Sequence, residues 1–592
     1  MRSVTDSPDD RQVVIIGAGP AGLTAAHELI RQGLRPVVLE KESLVGGLAR
    51  TESYRGFHFD LGGHRFFTKV PEVQAMWREV LGDDFIRRPR MSRIYYAGKY
   101  FHYPLRPWNA IVGLGPLQAV LVGASYLRWQ IRPHREEETF EQWVTNRFGR
   151  RLFRVFFKTY TEKVWGVSCS ELKAEWAAQR IKDLSLRTAV LNMFLRPSTT
   201  IRTLIDEFDY PRRGPGMMWA AVRTGVERGG GTVRTAADVV TIHREDNHIR
   251  AVTVALDGRA ETLPATDVIS SMPITELVAR MDPPAPAAVR EAATHLTYRD
   301  FLTVCLIVRG TDLFPDNWIY VHDPGVRVGR IQNFGNWSPD MVPDPACSSL
   351  GLEYFCTEGD DVWRMPDAEL ISLGAQEVER IGLARAADVQ DGCVVRVPKA
   401  YPVYDASYRE HLAVVRDWVD GLENLQTIGR NGLHRYNNQD HAMVTGMLAV
   451  RNLLDGETND LWSVNTDQEY HEEIREPELE AVLSQVFAKL NRRALGTAVG
   501  AVSGVMLALL TALLVGLGDS PAADFVGLLG QYFPGYTVSG PGILLGLLYG
   551  FGAGFAAGWT FALARNTAAF LYERLIRRRA EAVVLRDILD YV

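Results

Sequence analysis

At 592 residues the chain exceeds a single domain, and about two to four units are expected. A formal net charge of −6 excludes a general nucleic-acid binder, which would carry a basic footprint. The five cysteines (Cys169, Cys305, Cys347, Cys356 and Cys393) show no CxxC pairing, which fits a reducing compartment, argues against a disulfide framework and supplies no metal site.

The first residues, MRSVTDSPDDRQ, are polar and lack an apolar stretch, so no cleaved signal peptide is expected. Residues 11–42, RQVVIIGAGPAGLTAAHELIRQGLRPVVLEKE, read as strand, glycine turn, helix and strand. The apolar run Val13 to Ile16 leads straight into Gly17, Gly19 and Gly22. In such a turn the first glycine makes the bend, the second admits a pyrophosphate and the third lets the helix pack on the strand. The helix N-terminus then faces the phosphates with its partial positive charge. Glu40 ends the second strand at about the 20-residue offset expected of a ribose-binding acid. An acid there favours an unphosphorylated ribose, hence FAD or NAD rather than NADP.

The next stretch contains GGLART, with Gly46, Gly47, Arg50 and Thr51. It resembles the second phosphate-proximal signature of the flavin amine-oxidase superfamily. Far downstream, NLQTIGRNGLHRYNNQDHAM ends a strand at Gly429–Arg430 and opens a helix near Asp440. That resembles the C-terminal FAD segment of the same superfamily, and the two together select FAD. In FDLGGHRFF, Gly62 and Gly63 would let the chain lie flat against the isoalloxazine. His64 would then sit beside the reactive centre and tune N5, or act as a plain structural histidine.

The fold class read from this pattern is α/β. A Rossmann-type FAD-binding domain carries a helical insert and a second antiparallel sheet domain, and a C-terminal two-helix membrane hairpin follows. The expected FAD-binding segments are 11–75, 218–275 (adenine side near Asp238 and Val239) and 415–455. A mainly helical insert is expected at 76–217 and a sheet-rich substrate region at 276–414, with short buried strands at Val304–Val308 and Gly351–Phe355. Residues 108–127 are uncharged and broken by Gly113, Gly115 and Pro116; they read as a buried or substrate-side helix pair, with a membrane-dipping element as the alternative. A linker at 456–493 holds Leu479, Val482, Leu483, Val486, Phe487 and Leu490 at helical spacing, an amphipathic helix.

The membrane hairpin is expected at 494–566 and a basic cytoplasmic tail at 567–592. Ala494 to Gly518 is uncharged, as is Phe525 to Ala564, where Pro534, Gly535 and Pro541 leave a span of roughly 541–564. Arg492 and Arg493 precede the first span, Arg565 and Arg574 follow the second, and the connecting loop carries only Asp519 and Asp524. That asymmetry places both termini and the large body on the cytoplasmic side of the cell membrane. Gly496, Gly500 and Gly504, and the ladder Gly542, Gly546, Gly550, Gly554 and Gly558, let helices approach closely, within one chain or between two copies.

Five segments together resemble the UDP-galactopyranose mutases, most like the eukaryotic type, over roughly residues 11 to 455: FDLGGHRFF, TFEQWVTNRFGRRLFRVFFKTYTEKVWGV, AEWAAQRIKDLSLRTAV, WIYVHDPGVRVGRIQNFGNWSP and RYNNQDHAM. The resemblance implies a reduced FAD whose N5 attacks the anomeric carbon of a diphosphate-activated sugar, interconverting ring forms without net redox change. It implies that Arg180 and Arg330 grip the diphosphate as bidentate guanidinium forks. Tyr320 and Tyr436 match the tyrosines that reach the same diphosphate, and Trp165 and Trp318 match aromatic positions lining the pocket. Departures fall on nucleotide and sugar recognition: Leu105, Arg106 and Pro107 follow Tyr103–Pro104, Ile205 stands where an asparagine is usual, and two residues are missing between Tyr436 and Gln439. The substrate expected is therefore a diphosphate-linked sugar or a lipid-linked relative. The competing reading is a redox flavoenzyme of the amine-oxidase or phytoene-desaturase type acting on a membrane-borne lipid.

Overall fold

In the computed structural model the described residues are 11–103, 107–174, 207–256, 258–405, 407–465, 491–518 and 520–584. The chain forms two compact units, Met1–Glu472 with Val584–Val592, and Glu473–Val583. Arg180, Leu105, Arg106, Ile205 and the amphipathic stretch from Leu479 to Leu490 lie outside the described residues.

The larger unit contains a five-stranded sheet in the order Leu425–Thr427, Asp267–Ser270, Val13–Ile16, Val37–Leu39, Thr232–Arg234. Every neighbouring pair is parallel. Parallel strands are covered on both faces, so they need continuous apolar runs rather than alternation. The central VVII is buried at all four positions. The helix Pro20–Arg31 covers one side and packs between Gly216–Arg228 and Gln439–Leu454. A four-stranded sheet follows the order Arg259–Pro264, His248–Leu256, Ala237–Glu245, Met281–Asp282.

The third sheet has seven strands: Val389–Pro402, Tyr298–Arg309, Cys347–Cys356, Arg330–Asn333, Trp318–Val321, Ser92–Tyr96, Lys99–Tyr103. It is antiparallel except where Trp318–Val321 runs parallel to Ser92–Tyr96. Two differences from the sequence reading emerge. The strands expected to be short at Val304 and Gly351 belong to the long Tyr298–Arg309 and Cys347–Cys356. The insert expected as mainly helical supplies the two strands Ser92–Tyr96 and Lys99–Tyr103. They are joined by Ala97 and Gly98, both at positive φ (51° and 77°). That geometry matches the right-handed twist of a two-residue hairpin, but Ala-Gly lacks the Asn-Gly or Asp-Gly signature that announces it in sequence.

Residues 108–127 do contain a helix pair, Pro107–Leu114 and Pro116–Ile131, broken at Gly115 with φ 86°. Their surface is mixed: Val122 is buried, while Leu117 is 72% exposed and Val120 68%.

The smaller unit contains two helices long and apolar enough to cross a membrane, Arg492–Leu517 and Gly540–Ala568. Their glycine ladders face each other within one chain. A Cβ on Gly500 would lie 2.7 Å from the Phe551 carbonyl oxygen, and one on Gly550 would lie 2.9 Å from Gly504 Cα. Only glycine allows that backbone approach. The connecting segment folds back on the pair, where Tyr536 Oη and Thr511 Oγ1 hydrogen-bond at 2.6 Å.

Candidate functional site

A cavity of about 310 Å³ opens at the C-terminal ends of the parallel strands, the usual crevice of open α/β sheets. The glycine turn forms one rim. A Cβ on Gly17 would strike Ser271 Oγ at 2.2 Å, and one on Gly22 would strike the Gly17 carbonyl at 2.0 Å. Both glycines are thus required by the polypeptide, Gly22 from behind the cavity wall. Gly19 differs: its Cβ would meet only Gly47 Cα at 3.8 Å, an ordinary contact. The protein leaves that position open, at the N-cap of the helix beginning at Pro20. Gly46 is also off the wall; its N–H donates to the Ala18 carbonyl at 2.8 Å and ties the GGLART loop to the first turn. Gly47 and Arg50 line the cavity, and Arg50 Nε donates to Glu52 at 2.6 Å.

Glu40 is buried on the same rim. Its carboxylate accepts from the N–H groups of Ala18 at 2.7 Å and Glu42 at 3.0 Å. Burial raises its pKa against the pull of those N–H bonds. Each oxygen keeps a further lone pair for a ribose hydroxyl. Val239, Gly429, Arg430 and Asp440 complete the wall. Asp440 sits in the first turn of Gln439–Leu454, which Asn438 caps through a capping box with His441. A helix N-terminus, an open glycine and a buried acid in one crevice fit a dinucleotide.

Gly62 and Gly63 also line the cavity. Gly62 has φ 100°, which a side chain resists. Gly63 meets only Trp337 and Gln332 at ordinary distances of 3.6 and 3.7 Å. His64 lines the cavity as well, with Nε2 2.9 Å from the Leu61 carbonyl. Burial first, and then the Arg430 and Arg330 charges, pull its pKa down to about 4. The ring is therefore neutral at pH 7 and its Nε2–H donates to Leu61, bracing the glycine pair.

On the opposite wall stand Phe301, Arg330, Val397, Tyr401 and Tyr436. Arg330 pairs with Glu353 at 2.9 Å, and Gln332 Nε2 donates to the other Glu353 oxygen at 2.7 Å. Burial opposes the Arg330 charge, but Glu353 and neighbouring tyrosines hold its pKa well above the ordinary value. Arg330 Nε is buried with no hydrogen-bond partner among the described residues. Tyr401 and Tyr436 stack at 5.6 Å, and the Arg430 guanidinium lies 4.5 Å from the Tyr436 ring. Arg430 Nε donates to the Asn437 carbonyl and its Nη1 to the Ala400 carbonyl.

Three expected pocket residues are elsewhere. Trp165, Trp318 and Tyr320 are buried behind the wall. Trp165 packs edge-on against Tyr401 and Tyr436, while Trp318 and Tyr320 pack on each other in the aromatic core. Their size is spent on packing: Trp318 and Tyr320 lie on the buried strand Trp318–Val321, and Trp165 ends the helix Thr159–Trp165. Sequence reasoning missed Glu353, Tyr401 and Asp60. Asp60 is fully buried, hydrogen-bonded by Tyr210 Oη and by Thr51 Oγ1 at 2.7 Å. Burial pushes its pKa up to about 7 against those two donors. A charged residue inside the apolar runs GLEYFC and FHFDLGG was the available signal.

The model of the flavin containing amine oxidoreductase family matches residues 20–442. The chain belongs to that family. Its fold is the family's α/β FAD-binding fold and its cofactor is FAD. A Mycobacterium tuberculosis protein that carries the name flavin-containing monoamine oxidase AofH is 29% identical over 307 residues, 50% of this chain and 64% of that one. A 15-cis-phytoene desaturase of Synechococcus elongatus is 24% identical over 294 residues, 45% of this chain and 58% of the other. The chain thus spans less than two thirds of either relative. A solved structure of reduced UDP-galactopyranose mutase superposes with a TM-score of 0.65 at 21% identity, covering 77% of this chain and 98% of that one. At that identity the likeness is one of fold.

Proposed function

We propose that this flavoenzyme is a UDP-galactopyranose mutase-like isomerase that interconverts the ring forms of a diphosphate-activated sugar. The observation that carries the reading is Arg330: a charged guanidinium on the cavity wall whose buried Nε has no hydrogen-bond partner among the described residues. A buried donor without an acceptor is costly, and a diphosphate oxygen would supply one. Bound and reduced, FAD supplies a nucleophilic nitrogen to the sugar. Arg330, with Arg180 as the second fork, would hold the departing diphosphate and stabilise its charge. Tyr436 would reach the same diphosphate, Tyr320 would act from behind as a packing support, and neutral His64 would keep Gly62–Gly63 flat. Trp165 and Trp318 would shape the pocket only through their neighbours.

The expected segments 11–75, 218–275 and 415–455 would together hold FAD, with 76–217 and 276–414 on the substrate side. We place the enzyme at the cytoplasmic face of a membrane, anchored by the hairpin at 494–566, because arginines flank the two apolar helices on one side only.

One observation favours a redox enzyme instead. Glu353 is fully buried and already neutralises Arg330, which weakens an anion site and suits an uncharged, lipid-like substrate. Incubation with sugar nucleotides under strictly reducing and strictly oxidising conditions separates the two. An isomerase turns over only when reduced and consumes no stoichiometric reductant. Bleaching of the flavin once per turnover by an amine or polyene, with no sugar-ring conversion, would sink the isomerase reading.

A further inference from the structure

The helix Pro116–Ile131 presents an apolar stripe to its surroundings. Leu117, Val120, Leu127 and Ile131 are 72%, 68%, 61% and 78% exposed. Ala124 is exposed as well. At about 100° per residue these five positions fall within an arc of about 80°. Val112, on the preceding helix, is 62% exposed. The other side of Pro116–Ile131 is seated on the body: Val122 is buried, Ser125 Oγ accepts from the Arg151 N–H, and Tyr126 backbone abuts Gly149. The stripe is thus not a misplaced core face, because the core face of the same helix is already in use. Large exposed apolar patches mark contact with a partner or a membrane.

Charge selects between them. Residues 107–131 contain no aspartate or glutamate. Exposed Arg128 borders the stripe, Arg132 caps the helix, and Lys99 Nζ holds the Gly113 carbonyl beside it. Trp129 stacks on His134 at 4.5 Å near the same end. Exposed Glu136 and Glu138 follow past the helix end, so the cationic rim is confined to Arg128, Arg132 and Lys99; an apolar stripe with that rim and an aromatic ring matches a helix lying in a lipid interface. The chain also carries two helices apolar enough to cross a bilayer.

We propose that Pro107–Ile131 is a second, monotopic membrane contact, in which the stripe lies among the acyl chains of an anionic phospholipid leaflet and the arginines meet its headgroups. The inference rests on the membrane placement proposed above. It goes beyond it, because it lays the FAD-binding body itself on the lipid surface. The helix Pro107–Leu114 packs on the edge strand Lys99–Tyr103 of the seven-stranded sheet, and that sheet also carries Arg330. The substrate wall and the lipid contact therefore share one sheet.

The test uses the full-length, FAD-loaded protein in phosphatidylcholine–phosphatidylglycerol vesicles. An environment-sensitive fluorophore is placed on Val120→Cys, on Leu127→Cys, and on Glu369→Cys, an exposed position far along the chain. The parent protein, with its native cysteines, serves as the labelling blank, and flavin absorbance confirms that each variant is folded. Labels at 120 and 127 should emit to the blue and be quenched by lipids brominated in the acyl chains, while the label at 369 should not. Replacing phosphatidylglycerol by phosphatidylcholine should reduce the quenching. If vesicle-bound protein shows labels at 120 and 127 that resemble the one at 369, docking is overturned. A blue shift without quenching also overturns it, since the stripe is then covered by protein, such as a second copy or the stretch from Leu479 to Leu490. Protein that fails to bind vesicles at all overturns both the anchor and the contact.

Discussion

The two walls of the cavity recognise their partners by different means. On the nucleotide side most of the groups that matter are backbone, an open Gly19, the turn at Gly17 and the helix starts at Pro20 and Gln439, with the Glu40 carboxylate as the side-chain exception. On the substrate side they are side chains far apart in the sequence: Arg330 and Glu353 on adjacent strands, Tyr401 on a third and Tyr436 in a loop. Backbone recognition requires a fixed local order of glycines, so it can be read along the chain. Side-chain recognition requires only that distant residues meet, so no local spacing announces it.

Substitutions on each wall sharpen this contrast. The largest effect is expected for Gly22→Ala, whose Cβ collides with the Gly17 carbonyl at 2.0 Å. It should abolish flavin incorporation and soluble expression together. Arg330→Ala leaves Glu353 buried and unpaired, and should cost about 3–5 kcal/mol in denaturant unfolding. Pairing it with Glu353→Gln should recover much of that stability while leaving turnover low. If the double variant gains nothing over the single one, the ion pair is not the strut of the substrate wall.

Gly19→Ala is expected to be milder, because the polypeptide has room for the methyl group. The protein should fold with unchanged far-UV dichroism but bind FAD more weakly in equilibrium dialysis. Equal loss of folding in Gly19→Ala and Gly22→Ala would erase the distinction between ligand-facing and packing glycines. A further effect is one of pH. Asp60 binds its proton more tightly in the folded state, with a pKa of about 7 against an ordinary 3.8. Its contribution to stability is complete below the unfolded value and is lost as pH rises from about 4 to 7. Asp60→Asn should flatten that part of the stability profile, read as the denaturant midpoint at pH 5 and pH 7.5.

The legible and illegible parts divide along the same line elsewhere. The glycine turn, GGLART and the helix at Asp440 each contribute residues to one cavity. The hairpin strands at Ser92 and Lys99 were hidden because Ala97 adopts positive φ without a residue that advertises it. Trp165, Trp318 and Tyr320 were recognisable as aromatic positions, yet their burial behind the wall depends on how the strand Trp318–Val321 and the helix Thr159–Trp165 pack across the fold. His64 was singled out by its neighbours, but only the fold turns its ring toward Leu61.

By itself the sequence determined the dinucleotide turn, the parallel core strand and the two apolar C-terminal helices, since each depends on residues near in the chain and on their period. The tertiary structure alone decided that Arg330 meets Glu353, that the glycine ladders close on each other within one chain, and that the stripe of Pro116–Ile131 stays outside. Those outcomes depend on which surfaces find partners across the fold, and burial of that kind leaves no imprint on local spacing.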